Sequence, residues 1–303
     1  MFIRRLPEFE YHTPATLPEA VNLMGKYGEA GRLIAGGTDL LVAMKRREVA
    51  CGHLISLANV EGLKGISFNN KEGLRIGSLT SLSEIEGSDL VRKMYAPLWD
   101  AVSVMASAQV KNLATVGGNL ASAVPSADTA PPLIALGASV RLKGQTGERT
   151  CKVEDFFLGP KACCCGTDEI VTDILIPAPE PLSAGCYLKL MRRNAMDLAL
   201  VGAAVCLTLD KDRKCANARV ALGAVAPTPI RAYAAESVLA GSPISDRLIE
   251  ASAEKASEEA RPISDLRGSA AYRKEIVRVL TRRALKTAYE RHSARKRREI
   301  SAR

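Results

Sequence analysis

The residues of this 303-residue chain best suited to hold a charged group are two pairs of glycines. Leu33–Leu41 reads LIAGGTDLL and contains Gly36 and Gly37, and Thr115–Asn119 reads TVGGN. Paired glycines can adopt positive φ and let successive backbone N–H groups point into one concavity, which suits a phosphate. Because each pair follows a short apolar run, we predict two strand-to-loop units that hold a two-phosphate cofactor from both sides. Neither pair has the G-x-G-x-x-G spacing of a Rossmann domain, so a nicotinamide-binding Rossmann domain is not indicated.

The second glycine pair leads into a helix whose start is marked by two prolines. Pro131 and Pro132 fit only in the first turn of a helix, where a missing N–H costs nothing, so Thr129 is the predicted N-cap. The N-terminus of this helix would add positive potential beside the second loop. Taken alone, the same stretch also fits a tight turn followed by an ordinary capped helix.

Cysteine and histidine side chains are possible ligands for a metal ion. The chain has eight cysteines, none in a C-x-x-C pair, and three histidines. Three of the cysteines are consecutive, Cys163–Cys165, whereas metal sites need ligands from converging elements. We therefore favour reduced thiols in a reducing compartment.

The positive charge of the chain is confined to its C-terminal end. Residues 271–303 contain twelve Lys and Arg against three Glu, an excess equal to the whole formal charge of +9. No aromatic residues interleave with these basic residues in the way a nucleic-acid surface requires, so a solvated or subunit-contacting end is favoured over nucleic-acid binding. No apolar run is long enough to span a membrane, and the N-terminus lacks the apolar stretch of a signal peptide, so a cytoplasmic location is expected.

The pattern of elements predicts several subdomains. Residues 1–59 form a small α/β unit, with a helix at 16–28, a short helix or turn at 39–46, and strands at 32–35 and 53–57. Residues 60–177 hold hairpins at 63–78 and 140–153, helices at 81–106 and a strand at 169–176. Three prolines within 177–181 mark the next boundary. Residues 178–291 then hold antiparallel strands at 186–191, 200–209 and 218–225 and helices at 232–239, 246–260 and 271–291, before a basic tail at 292–303.

Four segments in this order resemble one known family. They read LIAGGTDLL, TVGGNLASAVPSADTAPPLIALGA, YLKLMRRNAMDLALVGAA and RPISDLRGSAAYRKEIVRVLTRRAL. Together they are similar to the FAD-binding (medium) subunit of molybdenum hydroxylases, a group that includes the carbon monoxide dehydrogenase medium subunit and the flavin domain of xanthine dehydrogenase. The resemblance runs from about Phe9 to about Tyr289. Each motif alone is moderately specific, and four in order are strong.

The resemblance implies an α+β fold, with a two-subdomain FAD-binding domain of the vanillyl-alcohol-oxidase type followed by an antiparallel sheet with a helical bundle. It implies non-covalent FAD between the two N-terminal subdomains. No catalytic side chain and no metal-ligating residue is expected in this chain. The implied cofactor-binding residues are Leu33, Ile34, Ala35, Gly36, Gly37, Thr38, Asp39, Leu40, Thr115, Val116, Gly117, Gly118, Asn119, Asp128, Val171 and Lys189.

Among these residues, Asp128 matches a family position that holds the ribityl chain, and Val171 and Lys189 match further flavin contacts. Two of them have a structural alternative. Asp128 would cap the helix that follows it, and Lys189 would be a surface lysine on a strand.

The function implied by the resemblance is electron transfer in an oxidoreductase complex. This chain has no molybdopterin signature and no ligands for iron–sulfur clusters, so the molybdenum cofactor and the [2Fe-2S] clusters are expected in partner subunits. The flavin would pass electrons to NAD or another acceptor. A stand-alone FAD-dependent reductase on the same fold is the main alternative, and a basic scaffold whose glycine pairs are only turns is the third. The substrate would contact another chain.

Overall fold

The computed structural model describes residues 5–193 and 195–301. Its N-terminal unit is a three-stranded parallel sheet in the order β1-β3-β2, with two helices. The first helix begins at the capping box of Thr16 and Glu19, in agreement with its predicted start. The elements are β1 (Glu10–His12), α1 (Leu17–Tyr27), β2 (Gly31–Ile34), α2 (Leu40–Arg46) and β3 (His53–Ser56).

The second unit is built on a five-stranded antiparallel sheet in the order β4-β5-β10-β6-β7, with helices packed on it. A short hairpin, β8-β9, follows its last helix. The elements are β4 (Ile66–Asn69), β5 (Gly73–Gly77), α3 (Leu82–Glu86), α4 (Asp89–Met94), α5 (Ala96–Ser103), α6 (Ala108–Leu113), α7 (Val116–Ala121), α8 (Ala130–Ala135), β6 (Ser139–Gly144), β7 (Gly147–Lys152), α9 (Val153–Phe156), β8 (Phe157–Gly159), β9 (Ala162–Cys163) and β10 (Ile170–Ile176).

The third unit is an antiparallel sheet in the order β11-β12-β13-β14, followed by three helices. The helices bury one face of this sheet in a core of their own. The elements are β11 (Ser183–Leu190), β12 (Val201–Leu209), β13 (Cys215–Gly223), β14 (Ile230–Arg231), α10 (Tyr233–Leu239), α11 (Asp246–Glu259) and α12 (Ala270–Ser301).

The other face of the third sheet packs on the second unit. Tyr187, Ala204 and Ala221 belong to the core of the second unit rather than to that of the third. Helices approach closely here because the sheet carries glycine where a proline meets it. A Cβ on Gly185 would lie 2.5 Å from Pro97 Cγ of α5, and one on Gly223 would lie 2.7 Å from Pro131 Cγ of α8. The second and third units therefore share a closely packed interface, on which the loop before α8 meets β11.

Most predicted elements are observed within a few residues of their expected limits, and Thr129 is the N-cap of α8 with prolines in its first turn. Two predictions were wrong, and one strand was missed. The second glycine pair does not follow a strand, because it lies in the first turn of α7. The last helix does not end at residue 291 but continues to Ser301, and residues 302–303 lie outside the described part. β1 was not predicted, since a three-residue strand carries too little pattern to detect. None of the described helices is long and apolar enough to cross a membrane.

Candidate functional site

The first glycine pair forms a loop between β2 and α2 with unpaired backbone donors. Gly37 has φ of +69°, as the sequence predicted for a residue in this turn. Within the described part of the chain, the N–H groups of Gly36–Leu40 have no protein acceptor. Five successive free amides at the start of a helix supply a run of backbone donors suited to an anion.

The second glycine pair behaves differently. Thr115 is the N-cap of α7, and its Oγ1 accepts the N–H of Gly118 at 3.1 Å. The N–H of Gly117 donates to Ser78 O at 2.9 Å, and that of Val116 donates to Thr80 O at 3.1 Å. These amides are already used inside the protein, and neither glycine has positive φ. The prediction of a second phosphate loop of free amides is therefore wrong.

Gly117 and Asn119 nevertheless have clear local roles. A Cβ on Gly117 would lie 2.6 Å from Ser78 Cβ, so this position needs glycine for close packing. The amide oxygen of Asn119 accepts the Thr129 hydroxyl at 2.6 Å. That contact leaves the Asn119 NH₂ group as a donor that no described acceptor uses.

The two glycine segments meet each other. A Cβ on Gly36 would overlap the carbonyl oxygen of Leu113, at the turn between α6 and α7. The first loop thus lies directly on the backbone that leads into the second glycine pair. The expectation that both segments border one site is consistent with this contact, although they contribute different donors.

Asp128 lies in the loop before α8 and binds two side chains of β11. It accepts the Tyr187 hydroxyl at 2.7 Å and the Lys189 ammonium at 2.8 Å. The Lys189 ammonium also donates to Asp197 O at 2.9 Å. Both ion-pair partners are buried, with the Lys189 side chain 1% exposed and that of Asp128 8% exposed. Lys189 is therefore not a surface lysine, and the described contacts of Asp128 are not those of a helix cap.

Burial is the main influence on the pKa values of Asp128 and Tyr187. It raises the pKa of Asp128, and the charge and hydrogen bond of Lys189 and the Tyr187 hydroxyl oppose that rise. Burial, reinforced by the Asp128 charge, raises the pKa of Tyr187 well above its usual value, so the phenol stays a donor. Sequence reasoning missed Tyr187. Its i,i+2 spacing from Lys189 places both on one face of a strand, and that signal was available.

The remaining predicted residues lie near these segments or in the core. Leu33 and Ile34 end β2, Ala35 precedes the glycine pair, and Thr38 and Asp39 follow it. Val171 is a buried residue of β10, where it pairs with Leu142 and packs in the core of the second unit.

The cysteine triplet lies apart from these groups in the sequence, on β9 and the turn after it. All eight cysteines are free, and Cys151 Sγ lies 3.5 Å from Cys164 Sγ. A hydrogen bond from Cys165 lowers the pKa of Cys163 to about 6, although burial opposes this. The free thiols agree with the preference for reduced cysteines.

The residues present fit a dinucleotide diphosphate. Free backbone amides at Gly36–Leu40 and the Asn119 NH₂ group supply uncharged donors, which can satisfy a diphosphate without a lysine. The buried Asp128 carboxylate, in the loop between the second glycine pair and α8, supplies an acceptor suited to hydroxyl groups. An α+β fold with these donors and acceptors is suited to a diphosphate cofactor that also carries hydroxyl groups.

Comparison with known proteins identifies the cofactor class. A family model described as the FAD binding domain in molybdopterin dehydrogenase matches residues 7–179. A second, described as the CO dehydrogenase flavoprotein C-terminal domain, matches residues 186–288. The chain therefore belongs to the family of FAD-binding (medium) subunits of molybdenum-containing dehydrogenases, and it carries an FAD-binding domain.

Individual relatives match over nearly their whole length. The chain is 34% identical over 291 residues to the carbon monoxide dehydrogenase medium chain of Hydrogenophaga pseudoflava, covering 94% of this chain and 98% of the relative. It is 31% identical over 280 residues to the xanthine dehydrogenase FAD-binding subunit of Escherichia coli O157:H7, covering 92% and 95%.

Solved structures agree with this. A chain of the H. pseudoflava carbon monoxide dehydrogenase that lacks the Mo-pyranopterin moiety of its cofactor superposes with a TM-score of 0.91 at 34% identity, covering 95% of this chain and 99% of that one. A chain of quinoline 2-oxidoreductase from Pseudomonas putida 86 superposes with a TM-score of 0.88 at 30% identity, covering 95% and 99%. The fold class and the family resemblance predicted from the sequence are confirmed.

Proposed function

We propose that this chain is the electron-transferring FAD subunit of a heteromeric molybdenum hydroxylase. One partner subunit carries iron–sulfur clusters and another carries the molybdenum cofactor, and an external acceptor such as NAD takes the electrons. The observation that carries the proposal is the run of free amides at Gly36–Leu40, in a chain that aligns with medium subunits over nearly their full length.

The proposed role of each group in binding the cofactor follows from the donors and acceptors present. The amides of Gly36–Leu40 bind the diphosphate, and the Asn119 NH₂ group adds a donor from α7. Residues 1–59 and 60–177 are the two subdomains between which the cofactor lies. When bound, the isoalloxazine supplies the redox chemistry, and the protein supplies position and solvent exclusion.

Asp128 is the proposed acceptor for the ribityl hydroxyl groups. Each carboxylate oxygen already accepts one protein hydrogen bond, and a carboxylate has about four lone-pair sites in all, so capacity for hydroxyl donors is left. Lys189 balances the carboxylate charge, which makes a buried acid tolerable beside an anionic diphosphate. Val171 and Lys189 are the further proposed flavin contacts.

The test is to co-express the chain with its partner subunits and purify it. The cofactor is then released by denaturation and identified, and iron and molybdenum are measured. We expect FAD in this chain and both metals in the co-purifying subunits. Released FMN, or a folded colourless protein that takes up no FAD, contradicts the proposal. FAD in a chain that binds no metal-containing partner, together with reductase activity of its own, supports the stand-alone enzyme instead.

A further inference from the structure

A cluster of metal-ligand side chains lies on the N-terminal sheet, in residues that the proposed function does not use. β1 and β3 are parallel neighbours, and Glu10 pairs directly with His53. Glu10 and His12 are two residues apart on β1, so their side chains share a face. The pairing of a three-residue strand thus brings two of the three histidines of the chain beside a carboxylate.

The distances within the cluster suit a small divalent ion. His12 Nε2 lies 3.2 Å from His53 Nδ1, His53 Nδ1 lies 3.3 Å from Glu10 Oε2, and His12 Nε2 lies 3.8 Å from Glu10 Oε2. With these separations, one position lies about 2.0 Å from all three ligand atoms. This distance matches zinc bonds to imidazole nitrogen and carboxylate oxygen, which are about 2.0–2.2 Å long.

Packing holds the imidazole rings in place. The Tyr27 ring stacks on His53 at 3.6 Å between centroids with an interplanar angle of 14°, and on His12 at 5.0 Å with an angle of 29°. The histidine side chains are 20% and 22% exposed, whereas that of Glu10 is 71% exposed. Two ligands are therefore preoriented, and the third can adjust its position at the open side of the cluster.

We propose that Glu10, His12 and His53 bind a divalent first-row transition-metal ion, with Zn²⁺ the best-fitting candidate and water in the open fourth position. Two imidazoles and one carboxylate favour Zn²⁺, Co²⁺ or Ni²⁺ over Mg²⁺ and Ca²⁺, which prefer oxygen ligands. The ion would tie the short strand β1 to β3. The alternative for the same three residues is a histidine–histidine hydrogen bond beside an exposed glutamate, with no affinity for a metal.

The experiment uses tag-free, FAD-containing protein that has been treated with a chelator and dialysed. Zn²⁺ is titrated in a calorimeter, and Co²⁺ is titrated by difference absorption, because cobalt bands report nitrogen ligation and coordination number. We expect one ion per chain and a rise in the melting temperature with added Zn²⁺, since an ion that binds the folded state stabilises it. Replacing one direct ligand by His12→Ala, His53→Ala or Glu10→Gln should weaken binding about 10-fold or more, because loss of an outer-shell partner alone costs that much.

Glu8→Gln is the matched control, because Glu8 is an exposed acid of the same segment that is not part of the cluster. It should bind Zn²⁺ like the wild type. Glu10→Gln changes an exposed side chain and keeps the test decisive if a histidine variant fails to fold. Absence of a one-to-one site in the wild type, or equal affinity in Glu10→Gln and Glu8→Gln, overturns the proposal. Neither result depends on flavin content, so the assignment of FAD is tested separately.

Discussion

At the level of single residues, the two glycine pairs are not equivalent. Gly37 has positive φ and lies in a run of free amides, whereas Gly118 is helical and its N–H is bonded to Thr115. Gly37→Val should therefore abolish FAD binding, because a β-branched residue is strained at positive φ and crowds the loop. Gly118→Ala adds a Cβ 3.0 Å from Thr115 Oγ1 and should keep most of the flavin. The flavin-to-protein absorbance ratio of the purified variants measures both outcomes. Equal loss of FAD would show that positive φ is not what distinguishes the two sites.

Asp128 carries a second prediction at this scale. Asp128→Asn removes the charge that balances the buried Lys189, so we expect the free energy of unfolding to fall by about 1.5–3 kcal/mol. If the carboxylate also accepts ribityl hydroxyls, the FAD dissociation constant should rise about 10-fold or more, equivalent to about 1.4 kcal/mol per decade.

Tyr187→Phe is the matched control for Asp128→Asn. It removes one hydrogen bond to Asp128 but keeps the carboxylate and its ion pair. Stability should fall by only about 0.5–1.5 kcal/mol, with FAD affinity close to that of the wild type. Denaturant unfolding of the apoproteins and titration with FAD separate the two effects. Unchanged FAD affinity in Asp128→Asn would leave this residue with a purely structural role.

At the level of elements, the start of α12 is fixed by a buried arginine. Arg273 is 3% exposed, donates to Leu200 O at 3.1 Å at the start of β12, and binds Asp265 at 2.7 Å. The backbone N–H of Arg267, followed by the guanidinium groups of Arg273 and Arg267, holds the pKa of Asp265 well below its usual range. The segment RPISDLRGSAAYR is thus a structural joint between the third sheet and its last helix.

This joint predicts a pH dependence of stability. Because the folded-state pKa of Asp265 is lowered, its contribution is fully present above the unfolded-state value of about 3.9 and is lost as pH falls below it. The melting temperature of the wild type should therefore exceed that of Asp265→Asn at pH 7, and the difference should shrink between about pH 5 and pH 3. A difference that stays constant over this range would mean that the carboxylate charge does not contribute.

At the level of the whole molecule, α12 joins the third unit to the second. Arg291 binds Asp100 of α5 at 2.6 and 3.0 Å and donates to Gly185 O of β11 at 2.8 Å. These contacts lie before residue 293. Deleting residues 293–303 should leave FAD content and melting temperature nearly unchanged, and its main effect should be weaker, salt-dependent association with partners.

Arg291→Ala is the counterpart of that deletion. It should lower the melting temperature, because the partly buried Asp100 loses its ion pair. Differential scanning calorimetry and cofactor analysis of both proteins test this pair of predictions. Loss of FAD on deletion of the tail would contradict the assignment of a site that does not include the tail.

The sequence by itself determined the features that depend on neighbouring residues. The capping boxes at Thr16 and Ser81, the proline-marked start of α8 and the positive φ of Gly37 were predictable, because caps and turns are local interactions. The four ordered motifs also determined the family, and with it the expectation of FAD.

Tertiary structure alone decided which donors and acceptors are free to bind a ligand. The amide of Gly117 is bonded to Ser78 O, Asp128 is paired with Lys189 across 61 residues, and Glu10 meets His53 through a strand too short to detect. Such pairings join residues far apart in the chain, and the sequence pattern near each residue carries no record of its distant partner. Whether a donor binds a ligand or another part of the protein is therefore determined by tertiary packing.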